Sequence, residues 1–347
     1  MTQGESPFLL AARRLPSPRT PVWLMRQAGR SLPEYRRLRE RYSLVQIVAE
    51  PDLCAEVTLQ PVRRLGVDAA VMFADIMLPL KGMGVDFELV EDVGPVIARP
   101  VRSPADVERL RRVPAEESVP QVLAAVRRVV AESPVPVICF SGAPFTLASY
   151  LIEGRPSRDF KTTKAFMYSE PVTWERLLEL LAEMVVDYLH KQLAAGARAY
   201  QLFDSWVGVL APEDYADRVL PHTRRIFEEL ASADFPGIHF GTGTAGMLEL
   251  LAGAGPQVVS LDWRVPLDQG WQRVGDVAVQ GNLDPAVLLG PADLVRKRAQ
   301  DVLRRAGGRP GHIFNLGHGV LPETSLENLQ LLVETVQAYE ASAAHVL

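Results

Sequence analysis

Short apolar runs alternating with helix-forming stretches predict an α/β fold, a single (β/α)8 barrel of the TIM type. Eight such runs begin near residues 22, 69, 135, 199, 237, 258, 277 and 312. Each is brief and almost uniformly apolar, as a strand must be when helices cover both faces of a parallel sheet. The runs end on Arg26, Asp75, Ser141, Ser205, Gly241, Asp262, Asn282 and His318. In this fold the C-terminal strand ends carry the active site, so that site is expected there. One domain spanning residues 1–347 is expected, with residues 1–20 as an irregular N-terminal arm.

In chain order, Pro33 opens a polar helix to about Arg41, and a second helix covers Pro51 to Leu65 and stops at Gly66. The strand Ala69–Ala74 leads to Asp75, and the glycines and alternating apolar residues from Lys81 to Arg99 predict a hairpin. Helices near 104–112 and 120–132 precede the strand Val135–Phe140. A helix then starts after Pro144, residues 155–164 read as a charged loop, and a long helix covers about 172–194. The strand Ala199–Phe203 is followed by a helix over 212–230 and the strand Gly237–Phe240. Helices over 244–251, 268–274, 291–305 and 325–340 separate and follow the remaining strands.

The 48% hydrophobic and 23% charged composition is that of a soluble globular chain. A net charge of -5 argues against bulk nucleic-acid binding. Residues 1–50 are nevertheless locally basic, with Arg13, Arg14, Arg19, Arg26, Arg30, Arg36, Arg37, Arg39 and Arg41 against Glu5, Glu34, Glu40 and Glu50. That surplus suits an anionic small molecule, although solvated helix faces account for Arg36 to Arg41. Cys54 and Cys139 are far apart among apolar neighbours and read as reduced, buried thiols of a cytoplasmic protein. Residues 1–12 lack a basic leader, so no secretory signal is expected. The uncharged run from Ser133 to Ile152 has the length of a membrane span. Its prolines, serines and glycine make it a strand, a loop and a helix start instead.

Two motifs pull in different directions. Gly241-Thr242-Gly243-Thr244-Ala245-Gly246 matches the dinucleotide fingerprint, with Asp262 near the expected acidic position. It lies on the fifth of eight strands, where no doubly wound unit can be drawn around it. A backbone-amide cradle for an anion is the milder expectation. The other motif is Val22-Trp23-Leu24-Met25-Arg26-Gln27-Ala28-Gly29-Arg30, an apolar run delivering two arginines around a glycine. Guanidinium groups grip carboxylates two hydrogen bonds at a time, while surface pairing with glutamates is the commoner fate of an arginine.

Asp75 reads as a site carboxylate or as a helix N-cap, and the following Ile76-Met77-Leu78-Pro79 does not look like a capped amphipathic helix. His318, between two glycines, has little to pack on and favours a ligand contact. Tyr150 reads equally as a core aromatic, and Ser205 as a turn hydroxyl or cap. The histidines show no metal-binding spacing and the two thiols are distant, so no metal is expected.

With these residues in view, the chain resembles the uroporphyrinogen decarboxylases of haem biosynthesis over about Pro7 to Tyr339. The resemblance is carried by residues 23–30, Phe73-Ala74-Asp75-Ile76, Gly142 to Leu147 with Tyr150, Gln201-Leu202-Phe203-Asp204-Ser205-Trp206, and Phe314-Asn315-Leu316-Gly317-His318-Gly319. It implies a cytoplasmic homodimer of (β/α)8 barrels that uses no cofactor. The implied reaction converts the four acetate side chains of uroporphyrinogen III to methyls, giving coproporphyrinogen III. It further implies that Arg26, Gln27, Ala28, Gly29 and Arg30 form a substrate-binding turn. Asp75 would meet the pyrrole N–H groups, Tyr150, Ser205 and His318 would contact substrate, and Asp75 and Arg26 would be catalytic. The proton donor stays open among Arg26, Tyr150, His318 and water. Two other readings are a zinc-dependent corrinoid methyltransferase of the same superfamily, which would need a His-x-Cys pair where this chain has His239-Phe240-Gly241, and a non-catalytic tetrapyrrole-binding protein.

Overall fold

A computed structural model describes residues 5–90, 93–232 and 234–339. Its strands are β1 (Ala70–Val71), β2 (Phe87–Val90), β3 (Gly94–Ile97), β4 (Val137–Gly142), β5 (Ala199–Asp204), β6 (Gly237–Gly241), β7 (Val258–Ser260), β8 (Ala278–Gln280) and β9 (His312–Ile313). Seven form one curled parallel sheet in the order β1-β4-β5-β6-β7-β8-β9, consistent with a TIM-type barrel. Strands β2 and β3 form the expected hairpin, pairing Phe87 with Ile97 and Val90 with Gly94. Every residue of β4 and β6 is buried, as helices on the outside and side chains on the inside require.

The strand expected over 22–25 is reduced to a single parallel bridge, Val22 to Phe314. Side chains have replaced the ladder around it. Pro21 has no N–H to give, the Val22 N–H donates to Asp68 Oδ2 (2.8 Å), Leu24 N–H to Gln27 Oε1 (3.0 Å) and Met25 N–H to Asn315 Oδ1 (2.9 Å). Backbone bonds still tie the segment on both sides. Phe314 N–H reaches the Pro21 carbonyl (2.9 Å), and Asp68 N–H reaches the Val22 carbonyl (2.8 Å). Arg19 fixes Asp68 through both carboxylate oxygens at 2.6 and 2.7 Å.

The N-terminal arm is not irregular throughout. Residues Pro7–Ala12 form a helix that buries Phe8, Leu9, Ala11 and Ala12 against β8 and β9. The charged stretch read as a loop contains the start of a helix, Lys161–Ser169, which buries Thr163, Phe166 and Met167. The helix expected over 212–230 is two, Pro212–Arg218 and Leu220–Glu229, because Pro221 cannot continue the helical hydrogen bonding. A short helix, Leu44–Ala49, was not expected. Its start is a capping box, with Ser43 and Gln46 each accepting the other's backbone N–H. The helix expected from Thr244 begins only at Leu248, and the last helix is Leu326–Gln337, with the expected end at Glu340 outside the described residues.

Helices Pro51–Leu65 and Pro120–Glu132 have the expected bounds, each with proline in its first turn. Gly66 closes the former at φ 68°, a left-handed cap that a side chain would strain. The membrane-length run resolves into β4 and the helix Pro144–Glu153. Among the described residues no helix is long and apolar enough to cross a membrane.

Candidate functional site

Arg26 ends the segment over 22–25 with its backbone at φ 58°, a left-handed turn that an arginine adopts only when its surroundings impose it. Those surroundings are visible. Gln27, almost fully buried, accepts the Leu24 N–H and donates its amide to the Ala69 carbonyl at 2.9 Å. Its backbone N–H returns to the Leu24 carbonyl at 2.9 Å, and Val320 N–H holds the Met25 carbonyl at 2.8 Å. The tightened turn leaves Arg26 exposed, with its stem against Gly319. Gln27 therefore braces the turn with its side chain. Ala28 packs against the small cluster of Leu32, Tyr35, Ile47 and Val57, and the Gly29 carbonyl accepts the Leu32 N–H at 3.0 Å. Arg30 is exposed one helix-start further on, and its carbonyl lies 3.5 Å from Arg36 Nη1.

Asp75 follows β1 by four residues, and its Oδ1 accepts the Met77 N–H at 2.8 Å. Asp75 is not a helix N-cap, because that position before Leu78–Gly82 is Met77, which has no side-chain cap. Its carboxylate closes a turn ahead of that short helix instead, and the Arg26 charge acts on it. Burial raises its pKa, while the Met77 N–H and the Arg26 charge oppose that rise. Tyr150 packs edge-on to Trp206 at 6.0 Å. Burial raises its phenol pKa, and the charges of Asp75 and Arg26 both act on it, in opposite senses. His318 meets Phe240 edge-on at 6.0 Å. Burial, then the charges of Arg26 and Arg264, push its pKa down to about 4, so the imidazole is neutral at neutral pH.

The Arg26 charge thus acts on Asp75, Tyr150 and His318 alike. Ser205 is half-buried at the end of β5, and its carbonyl accepts the Thr242 hydroxyl at 2.6 Å. The glycine motif does not form an open anion cradle. Gly243 N–H donates to Asp262 Oδ2 at 2.6 Å, so the protein's own carboxylate occupies it, and no helix begins there.

Sequence reasoning passed over Asp204 and Trp206, although both lie in a stretch that carried the resemblance. Buried Asp204 accepts the Thr146 hydroxyl at 3.0 Å, and the same hydroxyl receives the Trp206 backbone N–H at 3.3 Å, which fixes the loop that carries the indole packed against Tyr150. Both cysteines are free and buried, and burial raises the Cys54 thiol to about 12, which leaves it inert. Among the described residues no three His, Cys, Asp or Glu side chains are grouped as a bound metal requires.

A family model described as uroporphyrinogen decarboxylase (URO-D) matches residues 3–339. The chain belongs to the uroporphyrinogen decarboxylase family. A uroporphyrinogen decarboxylase of Carboxydothermus hydrogenoformans is 54% identical over 332 residues, 95% of each chain. One from Thermus thermophilus is 55% identical over 334 residues, 96% of this chain and 98% of the relative. Among solved structures, a methyltransferase from Methanosarcina mazei superposes with a TM-score of 0.79 at 20% identity, covering 94% of this chain and 96% of the other. A B12-independent methionine synthase from Shewanella sp. W3-18-1 gives 0.55 at 13% identity, over 85% and 88% of the two chains. At such identities these likenesses show the fold alone, so membership of the decarboxylase family rests on the sequence.

Proposed function

We propose that this chain is a uroporphyrinogen decarboxylase, converting the four acetate side chains of uroporphyrinogen III to methyls and releasing coproporphyrinogen III. The observation that carries the reading is the 51–55% identity to decarboxylases over nearly the whole chain, together with an Asp75 carboxylate on which the Arg26 charge acts. The fold proposed for it is a (β/α)8 barrel in which residues 21–24 take the eighth strand position. Its site opens at the C-terminal strand ends. A cytoplasmic homodimer is part of the same proposal.

The substrate carries eight carboxylates on an electron-rich ring of four pyrroles. Arg26 and Arg30 suit the carboxylates, since each fork holds one with two hydrogen bonds. Losing carbon dioxide requires a sink for the electron pair of the breaking C–C bond. Protonation of the ring carbon next to the one bearing the acetate turns the pyrrole into a conjugated iminium cation that accepts the pair. The exocyclic methylene left by carbon dioxide is then protonated to methyl as the ring carbon gives up its added proton. Asp75, already positioned by the Met77 N–H, then stabilises that cation through charge. Pyrrole N–H groups directed at Asp75 also favour its ionised form, against the burial that raises its pKa. Neutral His318 serves as a hydrogen-bonding imidazole, and its low pKa makes it scarcely available as a cationic acid at neutral pH. The methyltransferase alternative is disfavoured by the same identities, 54% and 55% to decarboxylases against 20% to the methyltransferase structure.

The deciding experiment incubates the purified chain with reduced uroporphyrinogen III and follows carbon dioxide and the hepta- to tetracarboxylate products. Tight binding without product would identify a tetrapyrrole carrier instead. Activity lost on chelator dialysis and restored by zinc would return the methyltransferase reading.

A further inference from the structure

The loop after β7 holds an arginine to which sequence reasoning gave no role. The Asp262 carboxylate, almost fully buried, accepts three N–H groups: Gly243 at 2.6 Å, Arg264 backbone at 2.8 Å and Arg264 Nη1 at 2.7 Å. Asn282 Nδ2 ties the loop's two ends, donating to the Asp262 carbonyl at 2.8 Å and the Val265 carbonyl at 2.7 Å. The Arg264 guanidinium also lies over the Trp263 ring, 4.2 Å from its centre. A side chain held this firmly is still 48% exposed. Pairs such as Arg296 with Asp293, where the carboxylate is 97% exposed, hold no arginine in place this way.

The loop's position matters as much as its rigidity. Gly317 packs so closely that a Cβ there would meet the Trp263 backbone nitrogen at 2.5 Å and Asp262 Cα at 3.0 Å. His318 follows directly, and both Arg264 and Arg26 act electrostatically upon it. Charges from two separate loops therefore act on one imidazole.

We propose that Arg264 is a further binding residue, gripping a peripheral carboxylate of the polyanionic tetrapyrrole, with Asp262 as the positioning residue that presents its fork. This rests on the decarboxylase reading, in which eight carboxylates outnumber what Arg26 and Arg30 can hold.

The test compares Arg264→Gln and Arg264→Lys with the unaltered protein, using reduced uroporphyrinogen III, steady-state kinetics and thermal melting. In Arg264→Gln, KM is expected to rise about five- to tenfold, the equivalent of one partly exposed charged hydrogen bond, with kcat held within about twofold. Its KM should also depend less on salt. Arg264→Lys keeps the charge without the fork and should fall between the two. A folded Arg264→Gln protein with unmoved KM overturns the proposal, whether or not kcat changes. If that variant fails to fold, an unmoved KM in Arg264→Lys overturns it. Absence of turnover in the unaltered protein would instead refute the decarboxylase reading itself.

Discussion

The stem of Arg26 lies directly over Gly319, where an added Cβ would collide with the Cβ, Cγ and Cδ of the arginine. Residues almost 300 positions apart thus share one contact, and the Val320 N–H to Met25 carbonyl bond beside it keeps the two loops in register. Glycine at 319 is explained by this close approach, since its φ lies outside the left-handed region.

Gly319→Ala should therefore fold and yet displace Arg26. A displacement of about 1 Å in a group that orients substrate typically costs about 10²-fold in rate. A loss of kcat/KM near that size is expected, with little change in melting temperature. Gly246→Ala is the control, because nothing lies within 4 Å of a Cβ there. That variant should keep full activity. Equal behaviour of the two proteins would show that Arg26 needs no such seat.

Helices with local signals were legible in the sequence. Pro51–Leu65 begins with proline and ends on a glycine, and Pro120–Glu132 begins with proline ahead of a regular apolar stripe. The segment over 22–25 was legible as apolar but not in its pairing, which depends on Asp68 and Asn315 side chains distant in the chain. The site shows the same division. Strand-end reasoning singled out Arg26, Asp75 and His318, and the Arg26 charge acts on the other two. It could not see that Gln27 would be used as a brace, that Asp262 would fill the glycine motif, or that Asp262 would hold Arg264. Those depend on contacts between loops that carry no periodic pattern.

His312 supplies a prediction about stability. It lies buried with Nε2 2.9 Å from the Gly281 carbonyl, so that nitrogen carries the proton, and Nδ1 has no partner among the described residues. Burial pushes its pKa down from 6.5 to about 4. The unfolded chain therefore binds a proton first as pH falls. Stability from this group is fully present above about pH 6.5 and is lost on acidification toward pH 4, by up to about 3 kcal/mol. His312→Gln retains a donor but cannot titrate. Urea unfolding between pH 4 and 7 should show a shallower pH dependence in that variant, and an identical slope would refute the assignment.

Arg30 is tested by a change of shape at constant charge. Arg30→Lys cannot grip a carboxylate bidentately, so substrate binding should weaken by about 1–3 kcal/mol with the fold unchanged. The measurement is KM for uroporphyrinogen together with the dissociation constant for product. Unaltered values would place Arg30 outside the binding surface.

Asp75 is where the proposed mechanism is most exposed to refutation. Asp75→Asn removes the charge but keeps the size and one acceptor oxygen. The bond from Met77 N–H to Oδ1, 2.8 Å long, can therefore survive, and so can the turn leading to the helix Leu78–Gly82. If capping were all that Asp75 did, melting temperature and activity would both hardly move. A carboxylate that stabilises a cation formed only along the reaction path predicts something different. The loss must appear in kcat, because a uniform change in ground-state binding would alter KM instead. Removing one preorganised electrostatic partner typically costs about 10²–10³ in rate, or ~3–4 kcal/mol. Binding should suffer less, since neutral pyrroles can still donate to the asparagine oxygen. The expected protein is folded, binds coproporphyrinogen nearly as before, and turns over far more slowly. An Asp75→Asn variant retaining at least about half of the normal kcat would leave the cation with no need of this charge, and the mechanism would fall.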